Sequence, residues 1–126
     1  MLGLPPANNN IVKLKNLYYI LLLLIGARKY YRVSGNSMYP SIASGDLIIY
    51  KTISSGDFPL KRGAIVLAEH PLESQTIVIK RVYKHNLMGV DLRGDNKNSS
   101  DDSRKFGLIN QNQVFGIVEK VFGIDK

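Results

Sequence analysis

The chain has 126 residues, which is enough for one hydrophobic core but not for two. An apolar content of 44% indicates a folded rather than a disordered protein, and the absence of cysteine excludes disulfides, zinc–thiolate sites and a cysteine nucleophile. The net charge of +7 suits an anionic partner, but the basic residues are scattered and form no pattern typical of a nucleic-acid-binding motif. We therefore predict no nucleic-acid partner.

The N-terminal part divides into a polar leader and an apolar run. Residues 1–10 contain two prolines and three consecutive asparagines, which predicts a disordered leader. Residues 17–27 are an uninterrupted apolar run that, as a helix, covers roughly 16 Å of the ~30 Å hydrocarbon core of a bilayer. Two interpretations stay open: a membrane-surface contact through residues 17–27, or an apolar helix or strand packed on the domain. We assign residues 1–28 to this segment and residues 29–126 to the main domain.

From Tyr30 onward, short runs rich in β-branched residues alternate with turns that contain Gly and Asp. This spacing predicts a mainly β fold, with a coiled or barrel-like sheet and a short N-terminal apolar helix. By contrast, residues 94–105 are too polar for a strand and too long for a simple hairpin, and such loops are commonly functional. The predicted strands are Tyr30–Val33, Asp46–Lys51, Ala64–Glu69, Thr76–Lys84, Gly89–Leu92 and Val114–Val121.

Ser37 lies in the stretch Ser-Gly-Asn-Ser-Met-Tyr-Pro, which by itself is typical of a turn. A serine hydroxyl becomes a nucleophile only when a base takes its proton. The two histidines, His70 and His85, lie in polar segments, and we predict that both are surface residues. The remaining candidate base is a lysine, which must be neutral to accept a proton.

Lys80 meets this requirement. It lies within the apolar run Thr-Ile-Val-Ile-Lys-Arg-Val-Tyr, and the two-residue period of a strand places it on one face with Val78 and Val82. We therefore expect a buried lysine, whose pKa is lowered by the loss of hydration.

Five short stretches carry a resemblance to a known family. In chain order they are Ser-Gly-Asn-Ser-Met-Tyr-Pro-Ser-Ile from Ser34, Gly-Asp-Leu-Ile-Ile from Gly45, Arg-Gly-Ala-Ile-Val from Arg62, Lys-Arg-Val from Lys80, and Gly-Asp-Asn with Asp-Ser-Arg from Gly94. Together they resemble the ordered motifs of the signal peptidase I superfamily, whose members are serine endopeptidases with a Ser/Lys dyad. The resemblance implies that residues 29–126 are a peptidase catalytic domain.

The resemblance also assigns roles. It implies that Ser37 is the nucleophile, that Lys80 is the general base and that Ser100 orients the lysine. Asp102 and Arg104 match a structural pair that holds the loop. The positions that match around the nucleophile and in the loop are Gly35, Asn36, Met38, Pro40, Gly94, Asp95 and Asn96. No metal and no other cofactor is implied.

Two positions depart from the family pattern. Gly35 stands where some members carry a hydroxyl that donates to the oxyanion. The resemblance implies that the N–H of Ser37 is one donor, and the second donor is then either a backbone group or Ser34. Gly63-Ala64 replaces the usual Gly-Asp at the start of a strand. Neither departure removes the dyad.

Only 13 residues separate Lys80 from Gly94, so the large inserted domain of bacterial signal peptidases is absent. The small core and the segment Asp-Asp-Ser-Arg-Lys-Phe-Gly-Leu-Ile from Asp101 together look most similar to the nickel-type superoxide dismutase maturation proteases. Those enzymes remove a leader from the dismutase precursor. The resemblance implies a precursor protein as partner and a cytoplasmic location, with membrane association through residues 17–27 left open.

Three alternatives remain. The first is a conventional signal peptidase I or an inner-membrane-type peptidase that cleaves secretory precursors. A self-cleaving regulator of the repressor type is less favoured, because residues 1–29 are too short and too apolar for a helix-turn-helix. A non-catalytic basic β module would leave Ser37, Lys80 and the polar loop unexplained.

Overall fold

Six antiparallel strands form one sheet in the order β1-β2-β6-β3-β4-β5. The structure is a computed structural model that describes residues 7–98 and 101–123, with side chains from residue 13 onward. All six predicted strands are present, and their ends differ from the predictions by at most two residues. The strands are β1 Lys29–Arg32, β2 Leu47–Thr52, β3 Ile65–Glu69, β4 Ile77–Asn86, β5 Gly89–Arg93 and β6 Val114–Phe122.

The mainly β fold is confirmed, but the sheet is not closed into a barrel. Strands β1 and β5 are its two edges. The long strand β6 joins the two halves, because it pairs with β2 on one side and with β3 on the other. The order along the chain therefore does not follow the order in the sheet.

Strand β3 contributes side chains to two hydrophobic clusters on opposite faces of the sheet. Val66 and Ala68 belong to one cluster, whereas Leu67 belongs to the other, as the two-residue period of a strand requires. Burial of a valine or leucine side chain such as Val66 or Leu67 contributes about 1.5–3 kcal/mol to folding. The second cluster is Val33, Met38, Ile42, Ile48, Leu67 and Ile79.

The N-terminal segment is a helix, α1, from Ala7 to Leu24. The prediction of a disordered leader is therefore wrong for residues 7–10, because helix formation is cooperative and the apolar run propagates it backward. The helix ends at Leu24 and is followed by Gly26, whose φ of +79° suits a residue without a Cβ. The N–H of Gly26 donates to the carbonyl of Leu23, and that of Ala27 donates to Leu22.

Helix α1 is apolar but is not a core element. Several large side chains at its end and just after it, such as Leu24 and Ile25, are more than half exposed. The interpretation as a helix or strand packed on the domain is therefore wrong for these side chains. Among residues 7–98 and 101–123, no helix has the length and the apolar character required to cross a bilayer.

The polar loop contains a second, short helix, α2, from Ser103 to Phe106, which the sequence had not predicted. Asp102 caps it by accepting a hydrogen bond from the N–H of Arg104. At the other end, the N–H of Gly107 donates to the carbonyl of Ser103. Four residues carry too little periodicity to be recognised as a helix from the pattern alone.

Candidate active site

The turn that carries Ser37 is closed at its base and held by buried side chains. The N–H of Val33 donates to the carbonyl of Asp46 at 2.8 Å, and the N–H of Gly45 donates to the carbonyl of Val33 at 2.7 Å. Met38, next to Ser37, is buried in the second hydrophobic cluster. The half-buried Ser37 therefore sits on a fixed turn, not on a free loop.

Lys80 lies in the interior part of β4, opposite Val66 of β3. Its burial is confirmed, since only 3% of the residue is exposed. Val78 and Val82 beside it pack in the hydrophobic cluster that contains Val66 and Ala68. Burial lowers the pKa of the Lys80 ammonium below 10.5, because the charged form loses its hydration. The negative charges of Asp102 and Asp101 act in the opposite direction and only partly offset this effect.

Ser37 and Lys80 line one cavity of about 260 Å³, which we call the Ser37–Lys80 cavity. The turn forms one wall and the first half of β4 forms the opposite wall. Ser34 also lines it, so a hydroxyl is available where the sequence left the second oxyanion donor open. The lining residues are Tyr31, Val33, Ser34, Gly35, Asn36, Ser37, Met38, His70, Glu73, Thr76, Ile77, Val78, Ile79, Lys80 and Asp101.

Gly35, Asn36 and Met38 line the cavity, whereas Asn96 supports it from outside. The N–H of Asn96 donates to the carbonyl of Ser37 at 2.9 Å, and its side-chain amide donates to the carbonyl of Asn36 at 3.1 Å. The loop that begins at Gly94 is thereby attached to the serine turn. Pro40, three residues after Ser37, is exposed. Ser100 lies outside the described residues.

Asp95 connects the turn to β4. It accepts two hydrogen bonds from the guanidinium of Arg81, at 2.9 and 2.8 Å, and one from the hydroxyl of Ser41 at 2.6 Å. The Arg81 guanidinium is the main reason that the pKa of Asp95 is lowered. Because Arg81 follows Lys80 in the chain and Ser41 lies four residues after Ser37, this contact fixes the two walls of the cavity relative to each other.

Asp102 is fully buried and anchors the polar loop. It accepts from the N–H of Gly94 at 2.9 Å and from the guanidinium of Arg104 at 2.6 and 3.0 Å. The predicted pairing of Asp102 with Arg104 is therefore present. These contacts hold the loop at the end of β5, and from there the Asp102 charge acts on Lys80.

The prediction that His70 is a surface residue is wrong, because its side chain is only 5% exposed and lines the Ser37–Lys80 cavity. The chain folds back after β3, and this turn encloses the ring. His85 is half-buried: its Nδ1 accepts from the N–H of Leu60 at 2.9 Å, and its Nε2 lies 3.1 Å from the side-chain oxygen of Gln111.

His70, Glu73 and Asp101 bring potential metal-ligand atoms within 4.8 Å of one another. However, Nδ1 of His70 accepts hydrogen bonds from the N–H groups of Leu72 and Glu73, both at 3.1 Å. The proton of the neutral ring is therefore on Nε2, which donates to Asp101 at 3.0 Å. A metal-bound histidine has the reverse arrangement, with its other nitrogen donating. The group is better described as a hydrogen-bonded cluster than as a metal centre.

Sequence reasoning missed Ser41, Asp101 and the structural role of Arg81. Arg81 lies within a recognised motif, but only the lysine of that motif had a chemical interpretation. Asp101 had no signal of its own, because it lies between two positions of the last motif. Its contact with His70 joins residues 31 positions apart in the chain.

This chain matches a known family model and resembles curated relatives. The family model described as signal peptidase, peptidase S26 matches residues 11–84, which include Ser37 and Lys80. Mitochondrial inner membrane protease subunit 1 of Homo sapiens is 31% identical, over 60% of this chain and 58% of the relative. The Mus musculus protein of the same name has the same identity and coverage.

The chain thus spans a little under three fifths of the length of these curated relatives. The family model, by contrast, covers more than half of this chain and both walls of the Ser37–Lys80 cavity. The protein therefore belongs to the signal peptidase, peptidase S26 family.

Proposed function

We propose that this protein is a serine endopeptidase in which Ser37 is the nucleophile and Lys80 is the general base. The observation that carries this proposal is that a serine on a fixed turn and a buried lysine line the same cavity. A lysine with a lowered pKa supplies a neutral amine at a lower pH than a hydrated lysine does. Lysine in place of histidine is a known variant of serine catalysis.

The proposed reaction has two stages. Ser37 Oγ attacks the carbonyl carbon of the scissile peptide bond while Lys80 Nζ takes the hydroxyl proton, and this proton passes to the leaving nitrogen as the C–N bond breaks. Water then attacks the resulting ester, Lys80 takes a proton from it, and the proton returns to Ser37 Oγ. The N–H of Ser37 and the hydroxyl of Ser34 are the proposed donors to the oxyanion.

Ser100 belongs to the same proposal, as the residue that orients Lys80. Its place in the chain supports this role, because it lies two residues before Asp102, whose charge acts on Lys80. Gly94, Asp95 and Asn96 then act by attaching that loop to the serine turn.

The proposed substrate is a precursor protein with an N-terminal leader. The motif pattern and the short stretch between Lys80 and Gly94 favour the precursor of a nickel-type superoxide dismutase. In this case the enzyme works in the cytoplasm on a water-soluble substrate. A leader is an extended peptide, which fits an open cavity between a turn and a strand.

A second candidate substrate is a membrane-bound precursor, as in an inner-membrane-type peptidase. The similarity to mitochondrial inner membrane protease subunit 1 supports it. The exposed apolar side chains of α1 support it as well, since they suit contact with a membrane surface.

The test is to incubate the full-length protein with both precursors, one free in solution and one in vesicles, and to read the product N-termini by mass spectrometry. Ser37→Ala and the exposed-turn variant Ser44→Ala are the matched pair. We expect cleavage by the wild type and by Ser44→Ala, and none by Ser37→Ala. Equal cleavage by Ser37→Ala contradicts the dyad. Cleavage of only one precursor decides between the two substrates.

A further inference from the structure

The Ser37–Lys80 cavity contains a carboxylate that the proposed mechanism does not use. Asp101 lines this cavity together with Lys80. A carboxylate next to a lysine favours the ammonium form. Lys80, however, must be neutral to accept the proton of Ser37. An ion pair between Asp101 and Lys80 would therefore inhibit the enzyme.

His70 holds the Asp101 carboxylate by a hydrogen bond. The ring Nε2 donates to Asp101 Oδ2 at 3.0 Å. Among the described residues, His70 is the ion-pair partner of Asp101. The direction of this hydrogen bond is fixed, because Nδ1 accepts from the N–H groups of Leu72 and Glu73. The ring can present only a donor to Asp101.

The ring is also fixed in space. Its side chain is 5% exposed, and the ring of Phe106 packs against it edge-on with centroids 5.0 Å apart. Asp101, in contrast, has a side chain that is 55% exposed and is free to turn when its partner is removed. The histidine is therefore the enclosed member of the pair and the aspartate is the exposed one.

We propose that His70 is a positioning residue that keeps the Asp101 carboxylate at the rim of the cavity and prevents it from pairing with the Lys80 ammonium. This inference rests on the proposed function, since it concerns the residue that acts as the general base. It assigns to His70 and Asp101 a role that depends on contacts in this chain and not on any of its recognised motifs.

Of the other charged groups near Lys80, Asp102 and Arg104 are held by their mutual ion pair, whereas Glu73 is exposed. Asp102 is fully buried and already accepts hydrogen bonds from Gly94 and Arg104, so its position relative to Lys80 is fixed. Arg104 acts in the opposite direction and lowers the pKa of Lys80. The titratable and charged groups that face Lys80 or share its cavity are Tyr31, His70, Glu73, Asp101, Asp102 and Arg104.

The experiment measures the pH dependence of kcat/KM in four variants of the full chain. His70→Asn keeps an acceptor for the N–H groups of Leu72 and Glu73 but removes the donor to Asp101. We therefore expect the pH at which kcat/KM rises to increase by about one unit. At lower pH this is an approximately tenfold loss of kcat/KM. His70→Gln retains an N–H near the Nε2 position, and we expect it to remain close to wild type.

Asp101→Asn and the double variant His70→Asn/Asp101→Asn provide the decisive comparison. Asp101→Asn removes the negative charge, so its limb moves to lower pH. In the double variant the side chain at position 101 can no longer form an ion pair with Lys80, and we expect the defect of His70→Asn to disappear. A defect that persists in the double variant means that His70 has only a structural role, and this overturns the inference.

A second readout is independent of catalysis. The titration of Lys80 is followed by NMR of the ¹³Cε nucleus in labelled protein, with Lys80→Met used to assign the signal. If no peptide is cleaved but the Lys80 midpoint rises in His70→Asn and falls in Asp101→Asn, the proposed function fails and the positioning role stands. If peptides are cleaved but the midpoint is the same in all variants, the positioning role fails. Should His70→Asn not fold, an unchanged midpoint in Asp101→Asn alone overturns it.

Discussion

The N–H of Asn96 donates a hydrogen bond to the carbonyl oxygen of Ser37 at 2.9 Å, which joins two segments 59 positions apart in the chain. The side-chain amide of Asn96 reinforces this contact by donating to the carbonyl of Asn36. The orientation of the serine turn therefore depends on the polar loop that follows β5. Two sequence motifs that are distant in the chain act as one structural unit at the site.

Substitution of Asp95 should impair this unit more than it impairs the fold. Asp95→Asn weakens the charge-assisted contacts with Arg81 and Ser41, and we expect a loss of about 2 kcal/mol in stability together with a marked fall in kcat. The matched control is Asp91→Asn, which disrupts the Arg93 pair on β5. Thermal melting and kcat of both variants check this prediction. A larger kcat defect in Asp91→Asn contradicts it.

Lys80→Arg should be as inactive as Lys80→Met, because arginine keeps its proton in a protein and cannot act as a general base. Lys84→Arg, on the exposed part of the same strand, is the control and should retain activity. The measurement is kcat/KM on a cleaved precursor peptide. Activity in Lys80→Arg would mean that position 80 supplies only a charge.

The lowered pKa of Lys80 also predicts how stability depends on pH. Between the folded-state pKa and 10.5, the unfolded chain binds a proton that the folded chain has lost. The free energy of unfolding should therefore rise with pH across this window, and Lys80→Met should lack this rise. Urea unfolding at a series of alkaline pH values provides the test. Identical slopes for both proteins would mean that the pKa of Lys80 is not lowered by folding.

Asp102→Ala should destabilise the domain, since it leaves Arg104 and the N–H of Gly94 without their buried acceptor. We expect a loss of about 3 kcal/mol, the scale for breaking a buried pair. Ser100→Ala should instead lower the rate and leave stability unchanged, because the proposed role of Ser100 is to orient Lys80. Thermal melting combined with single-turnover kinetics separates the two effects. The reverse pattern would contradict both assignments.

Acidic substitutions in α1 should decide whether this helix contacts lipid. The double variant Leu17→Glu/Leu21→Glu places charges among exposed apolar side chains, and we expect it to lose sedimentation with phosphatidylglycerol-containing vesicles. Leu87→Glu, at the exposed tip between β4 and β5, is the control. If both variants sediment like the wild type, α1 is not the lipid contact.

The local pattern of the sequence was enough to place every strand and to predict a buried Lys80. The reason is that the two-residue period of a strand assigns a face to each side chain without any knowledge of its neighbours. The motif around Ser37 likewise indicated a turn and a candidate nucleophile. The helix that begins at Ala7 was missed at its start, because helical propagation depends on residues that follow.

Only the tertiary structure decided which of these side chains meet. The order of strands in the sheet and the contact of Asn96 with Ser37 depend on pairings between distant segments, which no local period specifies. The burial of His70 is of the same kind, because it requires the turn after β3 to close over the ring and Phe106 to pack against it. The sequence alone therefore determined the candidate nucleophile and base, whereas long-range packing determined the environment that sets the proton affinity of Lys80.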